Sequence, residues 1–587
     1  MPFRSAPLIQ NVLARSSRSL AGEWRAIVDP YQNGSLDYRG QPHATDGYFA
    51  DRKPASPSDR IEYDFDRSEP LRVPGDWNSQ RRELFLYEGT IWYRTLFDAA
   101  PAAGRRRFVR FGAANSEAQV WLNGTFAGGH RGGFTPFDVE VTSFVRPGSN
   151  SLVVMVDDTR RREGVPTLNT DWWNYGGLTR DVLLVDVPET FLRDYALHLA
   201  PEDPGRITGW VRLDGPTRRQ SVSVRLPELG LSACVDTDAE GFGRVELEAP
   251  ALERWTPERP RLHLVELQSE TDRVIDRIGF RTVEVRGGEI LLNGAPVFLR
   301  GISLHEQAPR REGRACGPED ARTLLGWAQE LGANFVRLAH YPHDEHTVRL
   351  ADELGLLLWA EIPVYWTIAW EDPDTLDDAR TQLTELVTRD RNRASVIVWS
   401  VGNETPPTDA RLRFMRELVR TARALDPTRL VSAALERQEV EPLLQRVDDP
   451  LGADLDVLGC NEYLGWYDGL PDRPAGVRWE TCHAKPLVMT ELGADALQGF
   501  HGDPLTRWSE EYQAAVYEHQ LRMLERIPFL RGMSPWILAD FRSPRRVLPG
   551  IQDGWNRKGL VSDRGERKLA FGILQAYYRA LAEKWRG

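Results

Sequence analysis

From Gly287 onward, short apolar runs alternate with amphipathic stretches of helical length, and that alternation limits the folds open to the chain more than any other feature. Eight runs can be counted: Val297–Ile302, Asn334–Leu338, Gly355–Trp359, Ser395–Trp399, Arg429–Ala433, Asp456–Gly459, Pro486–Met489 and Met533–Leu538. They are apolar on both faces instead of alternating, which is how strands of a parallel sheet read when helices cover them. One intervening stretch, residues 318–331, opens on Pro318-Glu319-Asp320 and stops at Gly332, the signature of a helix with an acidic first turn. Eight βα units over about 300 residues match a (β/α)8 barrel in number and size.

Ahead of the barrel the texture is all strand. Arg107–Phe111, Ala118–Leu122 and Ser151–Val156 are separated by turn signals, among them Asn123-Gly124, which favours a tight hairpin. A second set, Gly209–Leu213, Ser221–Arg225 and Leu262–Leu267, has the spacing of one immunoglobulin-like sandwich. The expected division is a β-sandwich over 1–187, an immunoglobulin-like sandwich over 188–283 and an α/β barrel over 284–587. A chain of 587 residues is too long for a single core, so several domains are required.

Charge and cysteine content narrow the partners. A net charge of −12 offers no general attraction to nucleic acid or anionic lipid, so neither is expected as a partner. No run of about 20 apolar residues occurs, and the first fourteen residues hold only a short, polar-interrupted apolar stretch, so neither a membrane span nor a signal peptide is expected. Cys234, Cys316, Cys460 and Cys482 are scattered, without metal-ligand spacing, and too few to staple the chain; this fits a reducing, cytoplasmic compartment.

The chemistry is expected where the barrel strands end, because parallel barrels work at the C-terminal face. Polar residues stand there in order: His305-Glu306, His340-Tyr341, Glu361, Asn403-Glu404, Glu436-Arg437, Asn461-Glu462-Tyr463, Glu491 and Asp540. Strand ends meet solvent, so isolated residues such as Glu361 and Asp540 read as structural. Glu404 and Glu491 differ, since each follows a fully apolar run, and two carboxylates facing one another are what glycosidic bond cleavage needs. His305 and His340 lack a third ligand at compatible spacing, so no catalytic metal is expected, and no organic cofactor.

The strings around these glutamates resemble glycoside hydrolase family 2, and within it the β-glucuronidases. Trp121-Leu-Asn-Gly124 with Gly132-Gly-Phe-Thr-Pro-Phe137 resembles the family's jelly-roll signature, and Trp399-Ser-Val-Gly-Asn-Glu404 and Asp426-Pro-Thr428 resemble segments shared across it. The resemblance covers nearly the whole chain and implies a sugar-binding jelly roll, an immunoglobulin-like domain and a catalytic barrel. It implies that the glutamate after strand four is the acid/base and that after strand seven the nucleophile; the strand count puts Glu404 and Glu491 there. A retaining displacement through a covalent glycosyl-enzyme follows, with the carboxyl groups about 5 to 5.5 Å apart. Asn403 is then placed to hydrogen-bond the sugar 2-OH.

For the substrate, Asn556-Arg-Lys558-Gly resembles the pair that grips a sugar carboxylate in glucuronidases; an amide and an ammonium on one loop suit that anion. Asp171-Trp-Trp-Asn-Tyr-Gly-Gly177 resembles the jelly-roll loop whose aspartate reaches sugar hydroxyls. Asn461, Tyr463 and Tyr467 belong to a string resembling the segment after strand six, and Glu491-Leu-Gly-Ala-Asp495 with Trp508-Ser-Glu-Glu-Tyr512 resembles the nucleophile region. His305 and Trp536 complete the expected contacts, although the chain reads His305-Glu306-Gln307 where glucuronidases usually read His-Glu-Asp. The implied activity is a retaining exo-β-glucuronidase acting on small glucuronides or acidic oligosaccharide ends, in a homo-oligomer. A β-galactosidase or β-galacturonidase would fit the same scaffold, since nothing fixes how the 4-OH is read. A binding protein without catalysis would not need both carboxylates. Arg542, Arg545 and Arg546 read as solvated loop charges, with a second acidic group as the alternative.

Overall fold

The computed structural model describes residues 6–585. The first five residues, which begin the segment read as lacking a signal peptide, and the last two lie outside the described residues. The N-terminal part is built from a six-stranded antiparallel sheet and a four-stranded one, whose inward faces supply Trp24, Val120, Leu152, Phe111 and Phe137 to a common core. Asn123 and Gly124 take φ of 54° and 79° between strands Glu117–Leu122 and Thr125–Arg131, the left-handed pair that a two-residue hairpin requires. A second sandwich follows from sheets of three and four strands, and Ser221–Leu226 alternates exposed and buried side chains as a strand with one wet face must.

Eight parallel strands then close into a barrel: β1 (Leu299–Leu304), β2 (Phe335–Leu338), β3 (Leu357–Glu361), β4 (Val396–Asn403), β5 (Leu430–Glu436), β6 (Leu458–Asn461), β7 (Leu487–Glu491) and β8 (Leu530–Met533). Three of the expected runs, those of β1, β3 and β6, need shifting by two residues. Val297 pairs back with Ile290, so β1 starts only at Leu299, and β3 likewise begins and ends later than 355–359. The eighth run was expected at 533–538, and this is corrected: the strand is Leu530–Met533, and Ser534 to Leu538 continues as irregular backbone bonded to Met489, Leu492 and Ser303. Pro535 has no N–H to offer a ladder, which is why the regular strand stops ahead of it. Helix Gly317–Leu331 matches the expected one and ends on Gly332 at φ 88°. Among the described residues, helices of ten residues or more follow β1 to β4, β7 and β8, whereas a small three-stranded sheet occupies the connections around β6. No helix among them is long and apolar enough to cross a membrane.

The hairpin Val283–Arg286 and Glu289–Leu292 links the second sandwich to the barrel and closes the barrel's N-terminal end. Its Ile290 and Leu292 pack with Leu299, Phe335, Leu357 and Val488 from the beginnings of the strands, and with Trp255. Trp255 is fully buried and its indole N–H donates to Asp352 O at 2.9 Å, so it ties sandwich to barrel by packing and by a hydrogen bond. Trp255→Ala is therefore expected to cost about 3–5 kcal/mol, the usual range for emptying a buried tryptophan site. A thermal-inactivation midpoint unchanged from wild type would contradict this role.

Candidate active site

A charged residue inside a buried strand organises the C-terminal mouth of the barrel. Arg337, the third residue of β2, has a side chain with 0% exposure. Its Nη1 donates to Glu491 Oε1 at 2.8 Å, and its Nη2 donates to Glu361 Oε1 at 3.0 Å and to Asn403 Oδ1 at 2.7 Å. Glu361, the last residue of β3, also accepts from Trp359 Nε1, Ser400 Oγ and His340 Nδ1 at 2.9, 2.7 and 2.9 Å. Burial alone would raise its pKa, but the Arg337 charge and these donors outweigh it and hold the carboxyl at about 2. Glu361 is thus held in its ionised form as the partner of Arg337.

The two glutamates singled out in the sequence meet around this hub. Glu491 ends β7 with Oε1 on Arg337 and Oε2 accepting from Tyr463 Oη at 2.6 Å. Glu404 follows β4 at φ 47°, a conformation unusual for a residue with a side chain, fixed by its N–H on Ala434 O at 2.9 Å. Its Oε1 accepts from Asn461 Nδ2 at 2.9 Å and its Oε2 from Trp366 Nε1 at 2.7 Å. Among the described residues no cation pairs with it. Burial, and then the negative charge of Glu491, push its pKa up to about 7, against the two hydrogen bonds. The neighbouring carboxylates therefore sit in opposite environments.

Asn461 has both amide hydrogens committed, to Glu404 Oε1 and to Asn403 Oδ1 at 3.1 Å, while its Oδ1 accepts from Thr490 Oγ1 at 2.7 Å. It braces β4 against β7 instead of offering a free donor. Asn403 has its oxygen taken by Arg337 and Asn461, and its amide hydrogens have no protein acceptor among the described residues. An aromatic wall adjoins: the His305 ring lies 5.1 Å from Trp536, 5.8 Å from Trp172 and 4.3 Å from Phe541. Burial, then His340, keeps the His305 pKa well below its ordinary value; its Nδ1 contacts Tyr341 Oη at 3.0 Å and its buried Nε2 has no partner.

The second cluster lies on the loop before helix Leu569–Lys584. Lys558 Nζ is 2.6 Å from Asp495 Oδ2 and donates to Tyr467 Oη at 2.8 Å. Asn556 donates to Asp171 Oδ2 at 3.2 Å, and Asp171 also accepts from Ser543 Oγ at 2.6 Å and from Arg546. Arg546 further donates to Tyr467 Oη at 3.1 Å. All the expected contact residues are thus gathered at one mouth, but Asp171 has its oxygens occupied by protein donors. The reading of the three loop arginines as solvated is corrected for two of them: Arg546 pairs with Asp171, and Arg542 pairs with Glu312 and lies 4.4 Å from the centre of the Trp555 ring. Asp540 pairs with Lys568 and Arg557 away from this mouth, a structural role. Arg337 and Trp366 were not singled out in the sequence, Asp495 stood there only as part of the string resembling the nucleophile region, and Arg546 only as one of three loop arginines. For Arg337 a signal existed: a charged residue in the middle of an otherwise apolar strand.

Comparison with known proteins agrees with this architecture. The family described as glycosyl hydrolases family 2, TIM barrel domain, matches residues 283–579, and the sugar binding domain of the same family matches residues 18–188. The β-glucuronidase of Paenibacillus borealis is 28% identical, covering 98% of this chain and 98% of that protein; that of Rattus norvegicus is 29% identical, covering 88% and 86%. Among solved structures, a β-glucuronidase from Ruminococcus gnavus in complex with uronic isofagomine superposes with a TM-score of 0.82 at 24% identity, over 98% of this chain and 100% of that one. A β-galacturonidase from Eisenbergiella tayi bound to galacturonate gives 0.80 at 25% identity, over 99% of both chains.

Arg337→Met would leave Glu361 buried without its cation and release Glu491 and Asn403 together. Glycoside hydrolysis is expected to fall by at least about a hundred-fold in kcat/KM, as when a preorganised charge partner is lost. Activity within a few-fold of wild type would remove Arg337 from the centre of the site.

Proposed function

The chain belongs to glycosyl hydrolase family 2 and is a glycoside hydrolase, and on that premise we propose that it is a retaining exo-β-glucuronidase. The observation that carries the mechanism is the opposite setting of the two glutamates. Glu491, held by Arg337 and Tyr463, attacks the anomeric carbon. Glu404, protonated up to a pH of about 7, gives its proton to the leaving oxygen as the glycosidic bond breaks. Esterification of Glu491 removes the negative charge that helped to raise the Glu404 pKa. Glu404 then becomes the stronger acid and, ionised, can take a proton from the water that attacks the glycosyl-enzyme. The free amide hydrogens of Asn403 suit the sugar 2-OH. The pocket is walled on one side by Asp171 and Trp172 of the N-terminal sandwich, which supports action on a terminal residue.

A uronate is supported by the donors at the other end. Tyr467 Oη accepts from both Lys558 and Arg546, so its own hydrogen is free for a carboxylate oxygen, beside the remaining hydrogens of Lys558 and Asn556. A neutral hydroxymethyl group would leave the buried donors of Lys558 and Asn556 under-satisfied, which argues against a galactoside. The curated relatives named as β-glucuronidases support glucuronate in particular. The second reading is a β-galacturonidase, supported by the Eisenbergiella tayi structure, since it presents the same carboxylate and differs at the 4-OH.

The test is kcat/KM on 4-nitrophenyl β-D-glucuronide, β-D-galacturonide and β-D-galactoside, with wild type and Lys558→Ala. Lys558→Ala is expected to cost about 2–4 kcal/mol on the uronide and much less on the galactoside, the size of a charge-assisted contact. Equal losses would refute the carboxylate role. In the pH profile, the protonated acid is lost as pH rises, so kcat/KM should decline above a pH of about 7. The Trp366 hydrogen bond favours the carboxylate form, so Trp366→Phe should move that decline to higher pH; an unmoved or acid-shifted limb would exclude Glu404 as the group observed.

A further inference from the structure

The three arginines between Asp540 and Asn556 differ in how their charge is balanced. Arg542 pairs with Glu312 and Arg546 with Asp171, whereas Arg545 has no carboxylate within ion-pair distance among the described residues. An exposed arginine without a partner is common on a protein surface. The placement of this one is specific: its guanidinium carbon lies 5.0 Å from the centre of the Trp366 ring, and that same indole donates to Glu404 Oε2 at 2.7 Å.

Trp366 is held rigidly. Its φ of 54° is unusual for a bulky residue, its N–H donates to Asn403 O at 3.0 Å, and its ring lies 4.4 Å from that of Tyr365. Arg545 therefore sits one side chain from the proton donor. Its neighbour Arg546 is turned to Asp171 and Tyr467, on the side proposed for the uronate, so the two consecutive cations face different partners. The group that receives the Glu404 proton is the departing one, which puts the Trp366 and Arg545 pair on the leaving-group side. A guanidinium lying over an indole keeps its edge N–H groups free in a fixed plane, the geometry that grips a carboxylate or sulfate with two hydrogen bonds.

We propose that Arg545, stacked on Trp366, forms an anion-binding subsite for the leaving group, so that the enzyme favours β-glycosides whose aglycone carries a carboxylate or sulfate. The inference rests on the assignment of Glu404 as the acid. Because Arg545 is exposed, the preference should be modest, about three- to ten-fold, and should shrink with salt.

The protein is assayed on two matched pairs. One is the β-glucuronide of 7-hydroxycoumarin-3-carboxylic acid beside that of its ethyl ester. The other is a disaccharide with a uronic acid as reducing unit beside its neutral counterpart. Wild type is expected to show a higher acid-to-neutral ratio of kcat/KM than Arg545→Gln by about three- to ten-fold at low salt, and Arg545→Glu to favour the neutral member. A response confined to the coumarin pair would identify aryl carboxylates as the ligand, and one confined to the disaccharides a saccharide. An acid-to-neutral ratio identical in wild type, Arg545→Gln and Arg545→Glu overturns the proposal. The ratio is taken within one glycone. If galacturonate replaces glucuronate as the preferred sugar, the same pairs built on galacturonate carry the test, and failure of the proposed glycone stays separate from failure of the subsite.

Discussion

The guanidinium of Arg337 is enclosed by protein, and groups from three other strands are built onto it: Glu361 of β3, Asn403 of β4 and Glu491 of β7. A buried arginine is tolerable only if its charge is balanced, and at Arg337 both terminal nitrogens are used while Nε has no partner among the described residues. Here one carboxylate, Glu361, is given over wholly to that balance, collecting three further donors and remaining ionised. Glu491 can then share the same cation without being locked in a one-to-one pair. The consequence reaches Glu404, which lies beside this cluster with no cation paired to it among the described residues and feels the charge of Glu491. One arginine thereby gives two otherwise similar carboxyls different settings, one paired with a cation and the other with its pKa pushed up to about 7, the difference on which the proposed acid-assisted displacement rests.

Position is enforced by a second device. Glu404 and Trp366 both adopt left-handed backbone, at φ of 47° and 54°, and each is pinned by a main-chain hydrogen bond to a neighbouring strand or strand end. Such conformations cost on the order of 1–3 kcal/mol for a bulky residue and persist only where the surroundings over-determine them. The indole of Trp366 and the amide of Asn461 then hold one oxygen each of Glu404, so the carboxyl is aimed by donors from both sides of β4. The strain, the strand register and the hydrogen bonds act on the same side chain.

Much of this was legible in the chain because the barrel imposes a pattern that composition cannot hide. Each of the eight apolar runs falls on or beside a barrel strand, and the two glutamates stand where strands four and seven end. The errors have physical causes. Pro535 and the apolar residues after it look like strand in isolation but cannot join the ladder. Arg337 was passed over because a hydrophobic-run reading treats an arginine in a strand as noise, whereas in a parallel barrel any inward polar residue must be paired. The loop arginines read as solvated because their partners, Asp171 and Glu312, are hundreds of residues away. Only the folded arrangement shows that Arg546 and Arg542 are compensated and Arg545 is not.

The end of the site that holds Lys558 and Arg546, where the uronate is proposed to bind, is not a patch of bare positive charge. Lys558 is buried, and burial would lower its pKa; Asp495, at 2.6 Å, reverses that and keeps the ammonium charged. Arg546 is likewise matched by Asp171. Two cations and two carboxylates leave little net charge to attract an anion from a distance, so long-range steering cannot be the main source of selectivity. What remains is the number and aim of unused donors: the third hydrogen of Lys558, the second of Asn556 and the hydroxyl of Tyr467. Lys558 and Asn556 are buried and discriminate by the penalty for leaving their donors unpaired, which reaches larger ratios than added attraction does, whereas the exposed Tyr467 hydroxyl adds direction only. Selectivity for a uronate should then be relatively insensitive to salt at this end of the pocket, in contrast to the exposed Arg545 end, where screening acts directly.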